Sequence, residues 1–404
     1  MDTLQQRTPA RWVGANARAA SRPAAAGLVA LGLLASLPLS APLGRLRDPL
    51  VLVLVLPPLA VALESLGWGQ VAGRRIRAIE RPILRVLGAY GLWLATSALL
   101  TLDVAAVAAA SVGLTVGGRR AGERDAQLGA AIVGANVGSL LFPFSNLTNL
   151  VLLAGAGISF RAYVGAAALP QLATAVAAGA VLFWRGRRRL RAPDAAQDAG
   201  AQRAGPAPSL GAPARLAGVI VLGGSAAAVA TGFAGGDIAA AFAVTAALVA
   251  ALAVGSGHAT GRQLASSIPA LGIGVILAAA LLGGPMAGAA AQLPVAARLQ
   301  PSPAVLTVTA LLGGVLAAAM NNLPAAAFGA VWLRGAPPPL VIAYLVGTNV
   351  LALITPHGSL ATVLSRSVAA RAGHPIPHGP YLRSAWRFAL AGSLAALAAL
   401  AIFG

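Results

Sequence analysis

The chain contains no cysteine, so no disulfide bond, thiolate metal site or thiol nucleophile is available to it. Charged residues are scarce at 10%, whereas about a quarter of the residues of an ordinary soluble domain are charged. Lysine is absent, and all 29 basic residues are arginine. The sequence has no nucleotide-binding motif, catalytic triad, metal-ligand spacing or paired carboxylates. These absences exclude an ordinary soluble protein. We also predict that the protein is not an enzyme and has no organic cofactor.

The chain is instead rich in apolar residues. Hydrophobic residues make up 58% of it, and the mean hydropathy is +0.80. Apolar runs of about 20 residues recur, which is the length that crosses a hydrocarbon core of about 30 Å. They contain many of the 48 glycines and 27 prolines, residues that are commoner in membrane helices than in soluble ones. We therefore predict an all-α polytopic membrane protein surrounded by a lipid bilayer.

The net charge of +19 is explained by topology rather than by a nucleic-acid partner, because arginine concentrates in loops on one side of the predicted membrane. We place the N-terminus in the cytoplasm of a cell with an inner membrane. An odd number of crossings then leaves the C-terminus outside. Only five arginines fall outside in this assignment: Arg45, Arg47, Arg161, Arg298 and Arg334.

The chain divides into four predicted segments. These are a cytoplasmic arginine-rich tail at 1–23, a first transmembrane repeat at 24–184, a cytoplasmic linker at 185–215 and a second transmembrane repeat at 216–404. A cleaved signal peptide is the alternative for the first apolar segment, Ala24 to Leu43, but the length of that segment favours a retained helix. The linker is rich in Pro, Ala, Gln and Asp and has too little apolar content to fold.

Two apolar helices are predicted to break in their middles, at about 127–157 and 340–370. In the second, Thr355-Pro356-His357-Gly358-Ser359 interrupts the apolar sequence; in the first, Phe142-Pro143-Phe144-Ser145-Asn146 does so. Proline removes a backbone donor and clashes with the preceding turn. An offset of 213 residues carries Pro143 onto Pro356. Broken helices in corresponding positions of two halves indicate a transporter binding site.

Each predicted repeat also contains a re-entrant hairpin, at about 86–117 and 304–333. Thr101-Leu102-Asp103 interrupts the first and Met320-Asn321-Asn322-Leu323-Pro324 the second. The arginine pattern places the first hairpin on the cytoplasmic face and its counterpart on the outer face. We therefore predict two inverted repeats, each with a re-entrant helical hairpin and a broken transmembrane helix.

Three titratable residues are candidates for a role in these repeats. Asp103, near the first hairpin tip, is predicted to carry a proton or contact solute, since an ionised Asp at mid-membrane costs about 3 kcal/mol. The alternative is a helix cap. His357 either couples transport to protons or caps the break. Asp237, by contrast, is predicted to be an N-cap at a span boundary.

Neutral polar residues at the hairpin tips and breaks form the predicted solute site. Buried amides require partners, which are either a ligand or the hairpin arms themselves. Helices starting at Ser145 and Ser359 would point their positive dipole ends at the cavity. This frame suits a neutral hydroxylated solute or an anion bound with a cation. The predicted residues are Ser145, Asn146, Thr148, Asn149, Asn321, Asn322, Asn349, Thr355, Ser359 and Thr362.

Three of these motifs together resemble a known family. ITPHGSLATVL at Ile354 to Leu364, SNLTN at Ser145 to Asn149 and MNNLP at Met320 to Pro324 are similar to the arsenite/antimonite efflux permeases. These permeases are a branch of the ion-transporter superfamily, which also holds sodium-coupled dicarboxylate carriers and some sodium/proton antiporters. The resemblance extends weakly from about Leu28 to the end of the chain. It implies export of trivalent arsenic or antimony as the neutral hydroxide, coupled to proton entry, sometimes with an ATPase partner, and it favours a homodimer.

The sequence therefore predicts a secondary active transporter, with proton-coupled efflux of arsenite-like solutes as the leading hypothesis. The alternatives within transporters are a sodium- or proton-coupled carrier of a small anion, such as a dicarboxylate or sulfate, and a sodium/proton antiporter. A channel or a non-transporting membrane scaffold belongs to a different class. A channel would show uncoupled conductance, and a scaffold would tolerate loss of the polar tips.

Overall fold

The computed structural model describes residues 47–102, 105–106, 108, 112, 121–189, 210–268, 298–371, 373, 375–376 and 378–404. Every regular element in these ranges is helical, which confirms the all-α prediction. The first predicted span, at 24–43, lies outside the described residues. So do most of the predicted span at 267–283 and Asp103 itself.

The helices are numbered in chain order. They are α1 (Arg47–Ser65), α2 (Trp68–Arg77), α3 (Pro82–Leu99), α4 (Ala121–Gly138), α5 (Leu147–Ala156), α6 (Phe160–Arg189), α7 (Ala212–Phe233), α8 (Ile238–Gly255), α9 (Gly261–Ser266), α10 (Pro303–Met320), α11 (Asn322–Trp332), α12 (Pro338–Leu345), α13 (Leu360–Arg371) and α14 (His378–Phe403). Within the described ranges, seven helices are long and apolar enough to cross a membrane: α1, α3, α6, α7, α8, α10 and α14. The chain is therefore a multi-pass membrane protein.

Both hairpins turn at a sharp helix interruption. In the first, α3 ends at Leu99, and helical conformation resumes at Leu102 after Leu100 and the buried Thr101. In the second, Asn321 alone separates α10 from α11, with φ 81° and ψ 157°. Asn321 is the one non-glycine residue with positive φ in the described part of the chain. This conformation is essentially restricted to glycine and costs about 1–3 kcal/mol, which is typical of functional sites.

Both predicted breaks are interruptions between two helices. In the first, the chain between α4 and α5 is non-helical except for one 3₁₀ turn at Pro143–Ser145. In the second, α12 continues through a π-helix at Val346–Val350 and a 3₁₀ turn at Leu351–Ile354 before the helix ends. Residues 355–359 then form the break, and α13 begins at Leu360. A π-helical turn of this kind is common at functional sites.

Glycines let the first arm of each hairpin lie directly on the broken helix of the same half. A Cβ atom on Gly134 of α4 would lie 2.7 Å from the Tyr90 carbonyl oxygen of α3. A Cβ atom on Gly347 would collide with the Ala310 carbonyl of α10. Gly134 and Gly347 are separated by the same 213 residues that relate the two prolines. The two halves therefore share the same glycine-mediated contact between the hairpin and the broken helix, as well as the same order of elements.

We expect Gly347→Ala to destabilise the protein by about 1–3 kcal/mol, because the added methyl group meets backbone atoms that have no room to move. Gly91→Ala on α3 is the matched control, since a Cβ atom there meets nothing within 4 Å. That change should be neutral or slightly stabilising, because Ala favours helix by up to about 1 kcal/mol over Gly. Thermal unfolding in detergent measures both. Equal midpoints for the two variants would contradict the close packing.

The two broken helices run in opposite directions. The first part of one, α4, lies beside the second part of the other, α13, and α12 lies beside α5 in the same way. Each hairpin likewise contacts the broken helix of the other half. Helix α11 packs on α5 of the other half, and Ser365 on α13 donates a hydrogen bond to the Ala106 carbonyl of the first hairpin at 3.1 Å. These reciprocal contacts give the two halves the inverted relation that the sequence predicts.

The helices α1, α7 and α8 form a bundle around an apolar core, which is shared with the first break through Phe144 and with the start of α6 through Phe160. Asp237 caps α8, because its carboxylate accepts a hydrogen bond from the Ala240 amide at 2.8 Å, which confirms its predicted role. The same carboxylate forms an ion pair with Arg47 at the start of α1 at 2.7 Å. One acidic residue therefore fixes the ends of two helices in this bundle.

Helical structure also occurs outside the predicted transmembrane spans, in the arginine-rich sequence assigned to loops and at each end of the predicted linker. The basic stretch after the first described span is the amphipathic helix α2, whose polar side carries Arg74, Arg75 and Arg77. The Trp68 indole anchors α2 to α7 by donating to the Ala214 carbonyl at 2.9 Å. Around the predicted linker, α6 runs to Arg189 and α7 starts at Ala212, so both ends of 185–215 are helical.

Candidate functional site

The breaks and hairpin tips bring most of the predicted polar residues into the interior. Eight of the ten predicted solute-binding residues are buried, whereas Asn321 and Thr355 are partly buried. The buried residues are Ser145, Asn146, Thr148, Asn149, Asn322, Asn349, Ser359 and Thr362. His357, the proposed proton-coupling residue of the second break, is exposed. The described part of the candidate site is therefore built mainly from neutral amides and hydroxyls.

The first break is tied to the tip of the first hairpin. The Ser145 hydroxyl donates to the Ala98 carbonyl in the last turn of α3 at 2.8 Å. Asn146 is the N-cap of α5, because its side-chain oxygen accepts from the Thr148 amide at 3.1 Å. The prediction that this helix starts at Ser145 was therefore wrong. Ser145 lies in the 3₁₀ turn, and an extended Asn146 separates it from α5.

The second break is tied to the second hairpin by three side chains. The Asn321 amide group donates to the His357 carbonyl at 2.8 Å, and the Asn322 side-chain oxygen accepts from the Leu360 amide at 3.2 Å. The His357 ring nitrogen Nε2 lies 2.7 Å from the Ala318 carbonyl. A carbonyl can only accept, so Nε2 carries the proton of this bond. His357 thus joins the second break to the end of α10.

Asn349 joins the first break to the opposite repeat. Its amide group donates to the Asn149 side-chain oxygen at 2.8 Å, and its own side-chain oxygen accepts from the Thr148 hydroxyl at 3.1 Å. The Asn149 amide group in turn donates to the carbonyls of Ser139 at 2.6 Å and Phe142 at 3.2 Å. Asn149 therefore closes the loop of the first break, and Asn349 fixes Asn149 from the other half.

Asn136 makes the reciprocal contact and is absent from the predicted site residues. Its side-chain oxygen accepts a hydrogen bond from the Ser359 hydroxyl at 2.6 Å, which joins α4 to the second break. Its amide group donates to the Ile132 carbonyl one turn earlier, at 2.8 Å. The repeat offset of 213 residues equates Asn136 with Asn349. That alignment was the signal that could have identified it.

Two side-chain amide groups of the site have a nitrogen that makes no hydrogen bond to the described residues. Nδ2 of Asn146 is buried and makes no hydrogen bond to the protein. Among the described residues, the Asn322 side chain is bonded only through its oxygen, and its amide nitrogen is not one of the fully buried unpaired atoms. A buried donor without a partner, such as that of Asn146, costs about 1–3 kcal/mol. The amide groups of Asn146 and Asn322, one at each break, are suited to an acceptor atom of a bound solute.

The remaining predicted residues have smaller or undescribed roles. Thr355 bonds back to the Ala352 carbonyl at 3.4 Å, a weak contact within its own turn. Thr362 lies buried in the first turn of α13, beside the Tyr381 side chain. Asp103 is outside the described residues, but Leu102 just before it is buried between α4 and α13 in a small apolar cluster.

The site has no charged cluster of its own in the described ranges. No group of three or more His, Cys, Asp or Glu side chains there could hold a metal ion. The features that this part of the site offers are hydrogen-bonding groups and the N-terminal ends of α5 and α13, whose dipoles favour acceptor atoms.

Stacked phenylalanines connect the first break to the bundle of α1, α7 and α8. The ring of Phe144 lies 5.2 Å from that of Phe142 and 4.8 Å from that of Phe242 on α8, measured between centroids. Phe160 at the start of α6 stacks on the same group and meets Phe233 of α7 edge-on at 5.3 Å. A displacement of the break therefore requires these rings to slide against α7 and α8.

Comparison with known proteins supports the fold. No protein-family model and no curated protein sequence matches the chain. Among solved structures, the chain is similar to the YdaH transporter of Alcanivorax borkumensis, whose crystal structure is described as having an unusual topology. The sequences are 16% identical, the match covers 94% of this chain and 98% of that one, and the TM-score is 0.57. The similarity shows that this chain has the fold of a membrane transporter.

Proposed function

We propose that the protein is a secondary active transporter of the inner membrane that exports a small neutral hydroxide, such as arsenite or antimonite, in exchange for protons. The observation that carries this proposal is the neutral polar network between the two breaks, with a buried unpaired donor on Asn146 and the amide group of Asn322. Hydroxyl oxygens of such a solute would accept from these donors. An uncharged solute needs no compensating cation in a site of amides and hydroxyls.

The fold supports a route for alternating access. The bundle of α1, α7 and α8 forms the scaffold, and the hairpins and broken helices form the unit that carries the site. Hydrogen bonds tie each hairpin tip to a break, through Ser145 in one half and Asn321 in the other. A solute bound between the breaks would move with both tips as one body.

A sodium- or proton-coupled carrier of a small anion, such as sulfate or a dicarboxylate, is the second candidate. The positive ends of α5 and α13 at the breaks favour it, because helix N-termini bind anions. A dianion in this network would need a co-bound cation, since no arginine side chain takes part in the described hydrogen bonds of the site.

Uptake into everted membrane vesicles distinguishes the two candidates. Arsenite, sulfate and succinate are each offered under a proton gradient and, separately, under a sodium gradient. The proposal expects arsenite uptake that depends on the proton gradient. Sodium-driven uptake of sulfate or succinate, with none of arsenite, would support the anion carrier. Conductance without coupling would indicate a channel.

Asp103→Asn should abolish proton-driven transport, because the amide cannot release a proton at physiological pH. The variant should keep its thermal midpoint and elution profile. Glu80→Gln is the matched control, since Glu80 is exposed in the turn before α3 and should be dispensable. Transport in Asp103→Asn at the level of the unmodified protein would remove Asp103 from the mechanism.

A further inference from the structure

A groove remote from the candidate site runs along the outer surface between α6 and α14. Its volume is about 750 Å³, within the range of ligand-binding clefts. The walls are apolar: Val181 lies on α6, and Leu390 and Leu394 lie on α14. Two small residues, Ala180 and Ala391, leave space between the helices. Leu394 is 57% exposed, so this apolar groove faces the bilayer.

One end of the groove has the composition of a membrane interface. Trp184 near the end of α6 and Trp386 near the start of α14 both line it. They are 64% and 44% exposed. Tryptophan concentrates where hydrocarbon meets the headgroups. Because α6 and α14 run antiparallel, the other end of the groove, at Leu394, lies deeper in the hydrocarbon.

Two arginines, Arg185 and Arg387, line the interfacial end, and aromatic rings orient them. The Arg387 guanidinium lies over the Trp386 ring at 5.2 Å, and that of Arg185 lies over the Phe388 ring at 5.8 Å. Such stacking holds the plane of a guanidinium while its edge can still donate hydrogen bonds. No acidic side chain lines the groove within the described ranges.

We infer that this groove binds an anionic phospholipid of the surrounding bilayer. The phosphate contacts Arg185 and Arg387, since guanidinium groups bind phosphate in bidentate fashion. An acyl chain lies along Leu390 and Leu394. Basic pockets between transmembrane helices bind anionic headgroups, and the arginine distribution places this end in the cytoplasmic leaflet. A second copy of the chain fits less well, because a two-fold contact here would bring like-charged arginines together. The inference is independent of the transported solute.

Native mass spectrometry of the full-length protein in detergent, with added phosphatidylglycerol or phosphatidylcholine, tests the site. We expect one phosphatidylglycerol to be retained at least tenfold more strongly than phosphatidylcholine. The double variant Arg185→Gln/Arg387→Gln should lose roughly tenfold of this affinity, because each arginine near the headgroups contributes to anionic lipid binding. Arg215→Gln/Arg262→Gln removes two exposed arginines outside the groove and should change nothing.

A groove-filling variant separates a built site from general charge attraction. Ala391→Trp keeps every arginine but occupies the space between the helices, and it should also reduce phosphatidylglycerol retention about tenfold. The thermal midpoint of the lipid-free variant reports whether it folds. Unchanged retention in a folded Ala391→Trp variant, or equal retention of the two lipids, overturns the proposal. A dimer that Ala391→Trp disrupts would overturn it in favour of a second copy.

Discussion

Asn349→Ala should abolish transport and lower the thermal midpoint of the protein. The substitution removes the only described side chain that crosses from the second broken helix to Asn149 and Thr148. It leaves the Asn149 side-chain oxygen and the Thr148 hydroxyl buried, and each orphaned group costs about 1–3 kcal/mol. Hydrogen bonds between membrane helices average only about 0.6 kcal/mol. We expect a larger effect here because Asn149 also closes the loop of the first break.

A double-mutant cycle isolates the contact from general damage to the fold. Asn149→Ala, Asn349→Ala and the double variant should show a coupling energy of about 1–2 kcal/mol in thermal or denaturant unfolding. The control cycle pairs Asn349→Ala with Thr245→Ala, whose hydroxyl bonds within α8. Those two changes should be additive within about 0.5 kcal/mol. Additivity of the Asn149 and Asn349 changes would mean that the contact does not hold the two halves together.

Asn322→Ala should weaken solute binding at least tenfold while the protein remains folded. It removes the amide that has a free donor at the site and deprives the Leu360 amide at the start of α13 of its acceptor. A hydrogen bond to a ligand oxygen is worth about 0.5–1.5 kcal/mol, and an unsatisfied donor at the helix start adds to that loss. The effect should appear as a raised KM in vesicle uptake, together with a decrease in kcat of less than tenfold.

Ser302→Ala provides the matched control for Asn322→Ala. Ser302 caps the outer end of α10 by accepting from the Val305 amide at 3.3 Å, far along the same hairpin from the site. Its removal costs about 1 kcal/mol of stability, similar to other lost caps, without touching the solute. A KM that rises equally in both variants would show that Asn322 acts only on hairpin stability. An unchanged KM in Asn322→Ala would place the solute elsewhere.

The local features of the fold could be predicted because their causes lie within a few residues. Pro143 and Pro356 each lie in the interruption between two helices, where proline disfavours α-helix through steric clash and a missing donor. Proline alone does not decide the break, because Pro57 and Pro58 lie inside α1 and Pro170 lies inside α6. Asp237 caps α8 because its carboxylate reaches an amide three residues on. The arginine-rich α2 was missed because its basic residues resembled those of a loop. Its amphipathic pattern, with Ile76 buried and Arg74, Arg75 and Arg77 at the surface, was the signal of a helix.

The sequence by itself determined that this is an all-helical membrane protein with two related halves, each with one interrupted helix and one hairpin. The length of the apolar runs, the positions of the prolines and the offset between the two repeats follow from the order of residues along the chain, so they do not depend on tertiary contacts. Only the tertiary structure decided which polar residues meet. Asn136 bonds to Ser359 and Asn349 to Asn149 across about 200 residues of chain, and the groove between α6 and α14 has the same long-range origin. These contacts depend on how the two broken helices cross and on the glycines that let their backbones approach. The distances between the helices are set by this packing and are not encoded by any pattern of residues along the chain.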